Sequence, residues 1–341
     1  MMRAGNVVLA GIEAGGTKVE CAVGTGPGDL RGRVLIPTTT PAETLGRVVE
    51  FFREQERAGL EIAALGIASF GPLDLSPTSP TYGHITTTPK PGWAGTDLVG
   101  ILGSQLTVPV ALDTDVNGAA YGEYRWGAGR GLGSSVYLTI GTGIGGGAVV
   151  RGEPLRGLLH PEMGHVTVRR HPDDDFEGSC PFHGDCIEGL ASGPAIEART
   201  GRSPHDLGEL LERTVELEAW YLAQLVSTVI YVLSPERIVM GGGVMNLTGL
   251  REAVRTQTLA RLAGSLDGAG LASRMDTYLV APGLPDSSGV LGAIALAEIA
   301  ARRGGEAPGS TSAWPTIRVH ERHVADDSTP RTDAARTAAT L

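Results

Sequence analysis

Apolar positions along the chain cluster in short runs separated by glycine-rich turns, and two distant stretches share one design. Residues 7–10 form an apolar run of β type, glycines follow at 11, 15 and 16, and a second run spans 19–23. Two such runs across a Gly-rich turn predict a hairpin. The design returns downstream as a run over 135–140, a turn over 141–147 and a return run over 148–150. Repetition of a whole supersecondary unit predicts two similar domains facing each other. Between the copies the pattern predicts a helix over 42–58, a strand over 64–68 and a loop rich in Pro, Gly and Thr over 71–95. A helix over 97–106, a strand over 108–112 and a helix over 117–124 follow. Further on come helices over 192–200, 206–211 and 214–233, the last with the apolar spacing of a buried core helix. A strand over 237–240 runs into a triple glycine at 241–243, followed by a helix over 250–262, a strand over 276–281 and a helix over 289–302. Strands alternating with helices define an α/β fold. From residue 304 onward Ala, Thr, Ser, Arg, Asp and Pro without apolar periodicity predict a tail that does not fold on its own.

Composition narrows the class. The 341 residues suffice for two domains with proper cores, and 41% hydrophobic with 19% charged residues is the balance of a soluble globular protein. A net charge of −10 with no basic run argues against a broad nucleic-acid footprint. No stretch approaches the length of a membrane span, and the short apolar start lacks a signal-peptide core, so the cytoplasm is the expected location. Lys18 and Lys90 are the only lysines; every other basic residue among the 28 is Arg.

The densest chemistry lies between Glu162 and Glu188. Cys180, His183 and Cys186 follow a C-x2-H-x2-C spacing, and His165 lies just upstream. Four thiolate and imidazole ligands are the preference of Zn2+, and a site with no open position is structural. Such a zinc would organise the loop and leave chemistry to Glu162 and Glu188. The alternative is a Cys180–Cys186 disulfide or two unrelated thiols.

Glycine turns let backbone N–H groups approach a phosphate. The first turn offers Gly15 and Gly16 with the Thr17 hydroxyl and the Lys18 cation; the second offers Thr142 and Gly143; Gly241, Gly242 and Gly243 form a third cluster after a strand. Neither of the first two has Walker spacing, and each alone is equally a tight hairpin. Three together point to a nucleotide. Glu13 could hold Mg2+ or be a solvated turn carboxylate. Asp113, Thr114, Asp115, Val116 and Asn117 end a strand and begin a helix, where ligands collect in open α/β sheets. Asp115 is the candidate general base for a hydroxyl being phosphorylated; capping of the helix by Asp113 or Asp115 is the other reading.

Together, GIEAGGTK at 11–18, DTDVNGAAYGE at 113–123, TIGTGIGGG at 139–147, EMGH at 162–165 and the metal loop ending in C-I-E resemble the ROK family of repressors and sugar kinases, within the actin-like ATPase and hexokinase superfamily. The resemblance spans about residues 7–302. It implies an α/β, two-domain actin-like ATPase (ribonuclease H-like) fold with a nucleotide and sugar cleft. The expected domains are 1–116, completed by a helix over 289–303, and 117–288, with 304–341 as tail. It also implies that Asp115 is the general base, that Asn117, Glu162, His165 and Glu188 hold sugar hydroxyls, and that His165 additionally binds zinc. Gly71 opens the loop expected on the sugar side. Three features depart from the family pattern: Glu13 stands where most members have Asp, His183 replaces a cysteine, and the His165-to-Cys180 gap is long. These, with TPKPGW at 88–93, are similar to the bacterial fructokinase branch. His160 and His171 are spare zinc ligands.

The implied activity is ATP-dependent hexose phosphorylation, foremost of fructose at its 6-hydroxyl, with ATP, Mg2+ and structural Zn2+, and a homodimer as the assembly. Glucose, mannose and N-acetylated hexosamines are alternative substrates. A transcriptional repressor is disfavoured because the first strand begins within ten residues, leaving no room for a helix-turn-helix. A catalytically silent sugar sensor is disfavoured by the intact Asp115 and Lys18.

Overall fold

A computed structural model describes residues 6–266, 268, 270–284 and 288–304; the expected tail beyond 304 lies outside the described residues. Strands β1 (Val7–Ala14), β2 (Lys18–Gly26), β3 (Asp29–Pro37), β4 (Glu61–Ser69) and β5 (Val110–Thr114) form one sheet in the order β3-β2-β1-β4-β5. Strands β6 (Ser134–Ile140), β7 (Ile144–Val150), β8 (Glu153–Pro154), β9 (Ile238–Gly241) and β10 (Leu279–Val280) form a second, in the order β10-β9-β6-β7-β8. The plans are the same. Each sheet pairs an antiparallel hairpin, β1–β2 or β6–β7, with parallel strands beyond its first member. In the first sheet β1, β4 and β5 run parallel, so their carboxyl ends share one edge, where open α/β sheets collect ligands.

The helices are α1 (Pro41–Arg57), α2 (Leu98–Leu106), α3 (Asp115–Trp126), α4 (Ile187–Ala191), α5 (Gly193–Thr200), α6 (Leu211–Leu233), α7 (Leu250–Leu262), α8 (Met275–Tyr278) and α9 (Ser288–Gly304). Helix α1 starts where Thr40 accepts from the Glu43 N–H and Pro41 occupies the first turn, a position that needs no amide donor. It buries Leu45, Val48, Val49 and Phe52 into the core of the first sheet. Helix α6 buries Leu217, Tyr221, Leu222, Leu225, Val226 and Val229 at helical spacing against the second sheet. Each such side chain contributes about 1.5–3 kcal/mol.

Helix α9 returns to the first sheet, packing on β1, β4 and α3. A Cβ on Gly292 of α9 would lie 2.0 Å from the Gly118 carbonyl oxygen of α3. Glycine there lets the two helix backbones touch, which fixes the position of the helix that begins with Asp115.

Several elements differ from the expected pattern, among them the short β8 and α4, which it did not contain. The edge strand β3 escaped it because its apolar positions alternate with Arg31, Arg33 and glycine. The first half of the strand expected over 276–281 lies in α8, with only Leu279 and Val280 in a strand. There Asp276 Oδ1 accepts the Thr277 N–H and the Thr277 hydroxyl reaches the Arg274 carbonyl, local bonds that favour a turn. The helix expected over 206–211 is a single 3-10 turn, Gly208–Leu210, leading into α6.

Candidate active site

Strand β5 delivers two carboxylates with opposite fates. Asp113 is fully buried and accepts from Arg156 Nε at 2.7 Å, Asn117 Nδ2 at 2.9 Å and the Thr114 N–H at 2.8 Å. Its bonding serves the fold. Asp115, two residues on, is the first residue of α3. Capping falls to Thr114, whose hydroxyl accepts the Asn117 N–H at 3.1 Å, so neither aspartate is the helix cap. Asp115 Oδ1 accepts the neighbouring Val116 N–H at 2.8 Å. Burial pushes its acid up to about 6, and the Glu162 carboxylate adds to the rise. Glu13, at the end of β1, is pushed up to about 7 by burial, with the carboxylates of Glu20 and Asp115 adding.

Asn117 is turned into the protein interior. It is fully buried; Nδ2 donates to Asp113 and to the Leu155 carbonyl at 3.1 Å, and Oδ1 accepts the Ala148 N–H at 3.2 Å. Both amide protons are committed, so the expectation that Asn117 holds a sugar hydroxyl is corrected: it ties α3 to β7.

Glycine placement also corrects the second turn. The turn expected over 141–147 closes within three residues, because Gly145, Gly146 and Gly147 lie in β7. A Cβ on Gly147 would sit 2.1 Å from the Val116 carbonyl oxygen, and one on Gly145 2.6 Å from Val116 Cγ1. These glycines admit the start of α3 against the strand. Gly141 and Gly143 remain in the turn with Thr142, and Glu188 braces it by accepting the Ile144 N–H at 3.0 Å. Gly242, at φ 91°, packs on the Ile140 backbone, and the Gly243 nitrogen approaches Gly141, so Gly241, Gly242 and Gly243 adjoin this turn. In the β1–β2 turn, Gly16, Thr17 and Lys18 are exposed.

His160 emerges as a residue the pattern reading misplaced. Far from serving as a spare zinc ligand, it is buried, and its Nε2 accepts the Leu73 N–H at 3.2 Å, beside Gly71. The proton therefore resides on Nδ1, 3.2 Å from the Glu162 carboxylate. Glu162, 53% exposed, is thus oriented by an imidazole anchored to the loop after β4. His171 also stands apart from the sulfur ligands, its ring edge-on to Trp220 with centroids 5.0 Å apart.

His165, Cys180, His183 and Cys186 converge, with one ligand atom from each lying within 4.8 Å of all the others. His165 Nδ1 is 3.6 Å from Cys186 Sγ and 3.9 Å from Cys180 Sγ, leaving Nε2 for another partner. All three cysteines are free thiols, so the disulfide alternative is not realised. Two sulfurs and two imidazoles form a four-ligand donor set of the kind zinc takes. Beneath the loop, Arg199 of α5 pairs with Asp174 at 3.1 Å, and the Tyr221 hydroxyl donates to Asp174 at 2.6 Å.

Two matching sheets, each built on a hairpin, with glycine turns and an acid at a strand's carboxyl end, form an actin-like ATPase fold. The ROK family model matches residues 9–300. The chain belongs to the ROK family. It is 49% identical over 290 residues to a fructokinase of Zymomonas mobilis, covering 84% of this chain and 95% of that one. It is 45% identical over 290 residues to a putative fructokinase of Bacillus subtilis, covering 85% and 95%. Among solved structures, the ROK hexokinase of Thermus thermophilus superposes with a TM-score of 0.73 at 29% identity, covering 87% of this chain and all of that one. Among the described residues no helix is long and apolar enough to cross a membrane.

Proposed function

We propose that the protein is an ATP-dependent hexose kinase that phosphorylates D-fructose on its 6-hydroxyl. The observation that carries the reading is Asp115: a carboxylate at the head of α3, at the carboxyl end of β5, not used as a cap, while its neighbour Asp113 is fully bonded. The bond from the γ-phosphorus to the sugar oxygen forms as the bond to ADP breaks, and Asp115 takes the hydroxyl proton. Gly15, Gly16, Thr17 and Lys18 hold phosphates from one side; Thr142, Gly143 and Gly241–Gly243 hold the nucleotide from the other. Glu162, Glu188, His165 Nε2 and the Gly71 loop hold the hexose, with Asn117 omitted. A polyol suits this set, because each carboxylate accepts from two hydroxyls, and a site built on hydroxyl bonds rejects analogues lacking them.

Glu13 would hold Mg2+, which when bound neutralises charge on the phosphates. His165, Cys180, His183 and Cys186 would hold a structural Zn2+ that braces the loop leading to Glu188. Residues 1–116 with the last helix, and 117–288, act as two lobes whose closure excludes water. The protein works in the cytoplasm as a homodimer.

Fructose is the preferred hexose because relatives 40–49% identical over most of this chain are named fructokinases. A coupled ADP-release assay across fructose, glucose, mannose and N-acetylated hexosamines, with and without Mg2+, tests this. Fructose should give the highest kcat/KM, and only with Mg2+; a higher value for glucose or mannose reassigns the substrate, and no turnover on any hexose removes the enzymatic reading.

A further inference from the structure

A phosphate-binding turn works only if its N–H groups face the anion and its carbonyl oxygens face away. In the β1–β2 turn three successive carbonyls are held from behind. The Gly15 oxygen accepts from the Thr38 hydroxyl at 2.8 Å, the Gly16 oxygen from Lys90 Nζ at 2.6 Å and the Thr17 oxygen from the Thr38 N–H at 3.0 Å. Lys90 Nζ also donates to the Thr38 carbonyl at 3.2 Å. Among the described residues the N–H groups of Gly16 and Thr17 have no protein acceptor, and the space over Gly16 is open to 4 Å.

Lys90 reaches the turn from 74 residues away, on the loop that begins at Gly71. That loop is nailed down by Trp93, fully buried, whose Nε1 donates to the Thr39 carbonyl at 2.8 Å. The bond to Gly16 is short and charge-assisted, hence roughly twice as strong as a neutral one. It pulls electron density from the Gly16–Thr17 peptide, which makes the Thr17 N–H a better donor. A half-buried ammonium beside the turn also favours negative charge there.

We infer that Lys90 is a positioning residue of the phosphoryl-donor site: by fixing the Gly16 carbonyl outward, it presents the Gly16 and Thr17 N–H groups to the terminal phosphates of a nucleoside triphosphate. Because Lys90 belongs to the same loop as Gly71, it joins the phosphate turn to the sugar side of the cleft. The inference rests on the kinase reading above.

The test compares wild type, Lys90→Met and Lys90→Arg in steady-state kinetics, in direct titration with ATP and AMP without sugar, and in thermal unfolding. Lys90→Met should raise the KM and Kd for ATP about tenfold or more, the scale of a hydrogen bond to a charged group. The hexose KM should stay within about twofold and AMP affinity should hold, because AMP lacks the terminal phosphates. Lys90→Arg, which retains a cation and donors, should recover part of the loss. Unchanged ATP binding in Lys90→Met overturns the inference, as does a parallel loss for ATP, AMP and hexose with a lowered Tm, which would mark a purely structural role. If wild type turned over no hexose, the kinase reading would fail, and the ATP and AMP titrations would still decide the role of Lys90.

Discussion

The two hairpins look alike in sequence, yet Gly16 of the first and Gly147 of the second serve opposite ends. In the β1–β2 turn Gly16 is exposed, and a Cβ there would meet nothing within 4 Å. In β7, Gly147 lies against backbone, with the Val116 carbonyl oxygen 2.1 Å from where a Cβ would stand. The first turn keeps its glycine for an incoming ligand. The second hairpin keeps its own so that the helix carrying Asp115 can lean on the strand. A glycine-rich stretch is therefore one sequence signal with two physical causes, and only packing separates them.

Substitution separates the causes experimentally. Gly147→Ala should be the most damaging change, because the atoms in the way are main chain. Overpacking of this kind costs about 1–3 kcal/mol, and an Asp115 displaced by about 1 Å should lose on the order of 10²-fold in turnover. A variant with wild-type Tm and kcat would refute the packing role. Cys186→Ser comes next. Wild-type protein should carry one zinc per chain by metal analysis, and the variant should lose it. Because the loop that ends at Cys186 leads directly to Glu188, which braces the second turn, hexose KM should rise together with ATP KM. Zinc-free wild type with full activity would contradict this.

The pH profile sharpens the roles of the acids. A general base must be ionised, and the Asp115 acid is raised to about 6 by burial. At saturating Mg2+, which holds Glu13 as its carboxylate, activity should be half-maximal near that value, full about one unit above it and fall about tenfold per unit below it; an acid limb near 4 would point to a more solvated carboxylate. Smallest is Gly16→Ala, where the φ lies outside the left-handed region and space is open. Tm should not move, and only ATP KM should rise, by severalfold. A large loss of stability would show that the first turn is packed like the second.

Much of this architecture is legible in the chain itself. Strands β1 and β2, helix α6 and the convergence of His165, Cys180, His183 and Cys186 follow from local spacing, since their partners are near in sequence or their periodicity is strong. The misreadings have long-range causes. Asn117 is closed off by Ala148 and Leu155, 31 and 38 residues away. His160 is claimed by Leu73, 87 residues away. Lys90 stands out as one of two lysines and as part of TPKPGW at 88–93, with no local hint of its partner at Gly16. The glycines at 145–147 read as turn because composition reports backbone freedom, not what crowds the backbone. Residue type identified the chemistry, and tertiary packing decided which of the matching residues remain available for it.

The most direct test of the central claim is Asp115→Asn, measured for both hexose affinity by equilibrium titration and turnover by ADP release. Fructose binding should stay within about twofold of wild type while kcat falls by about 10²-fold or more. Near-normal turnover with unchanged binding would contradict it, and would move the proton-accepting role to another group in the cleft.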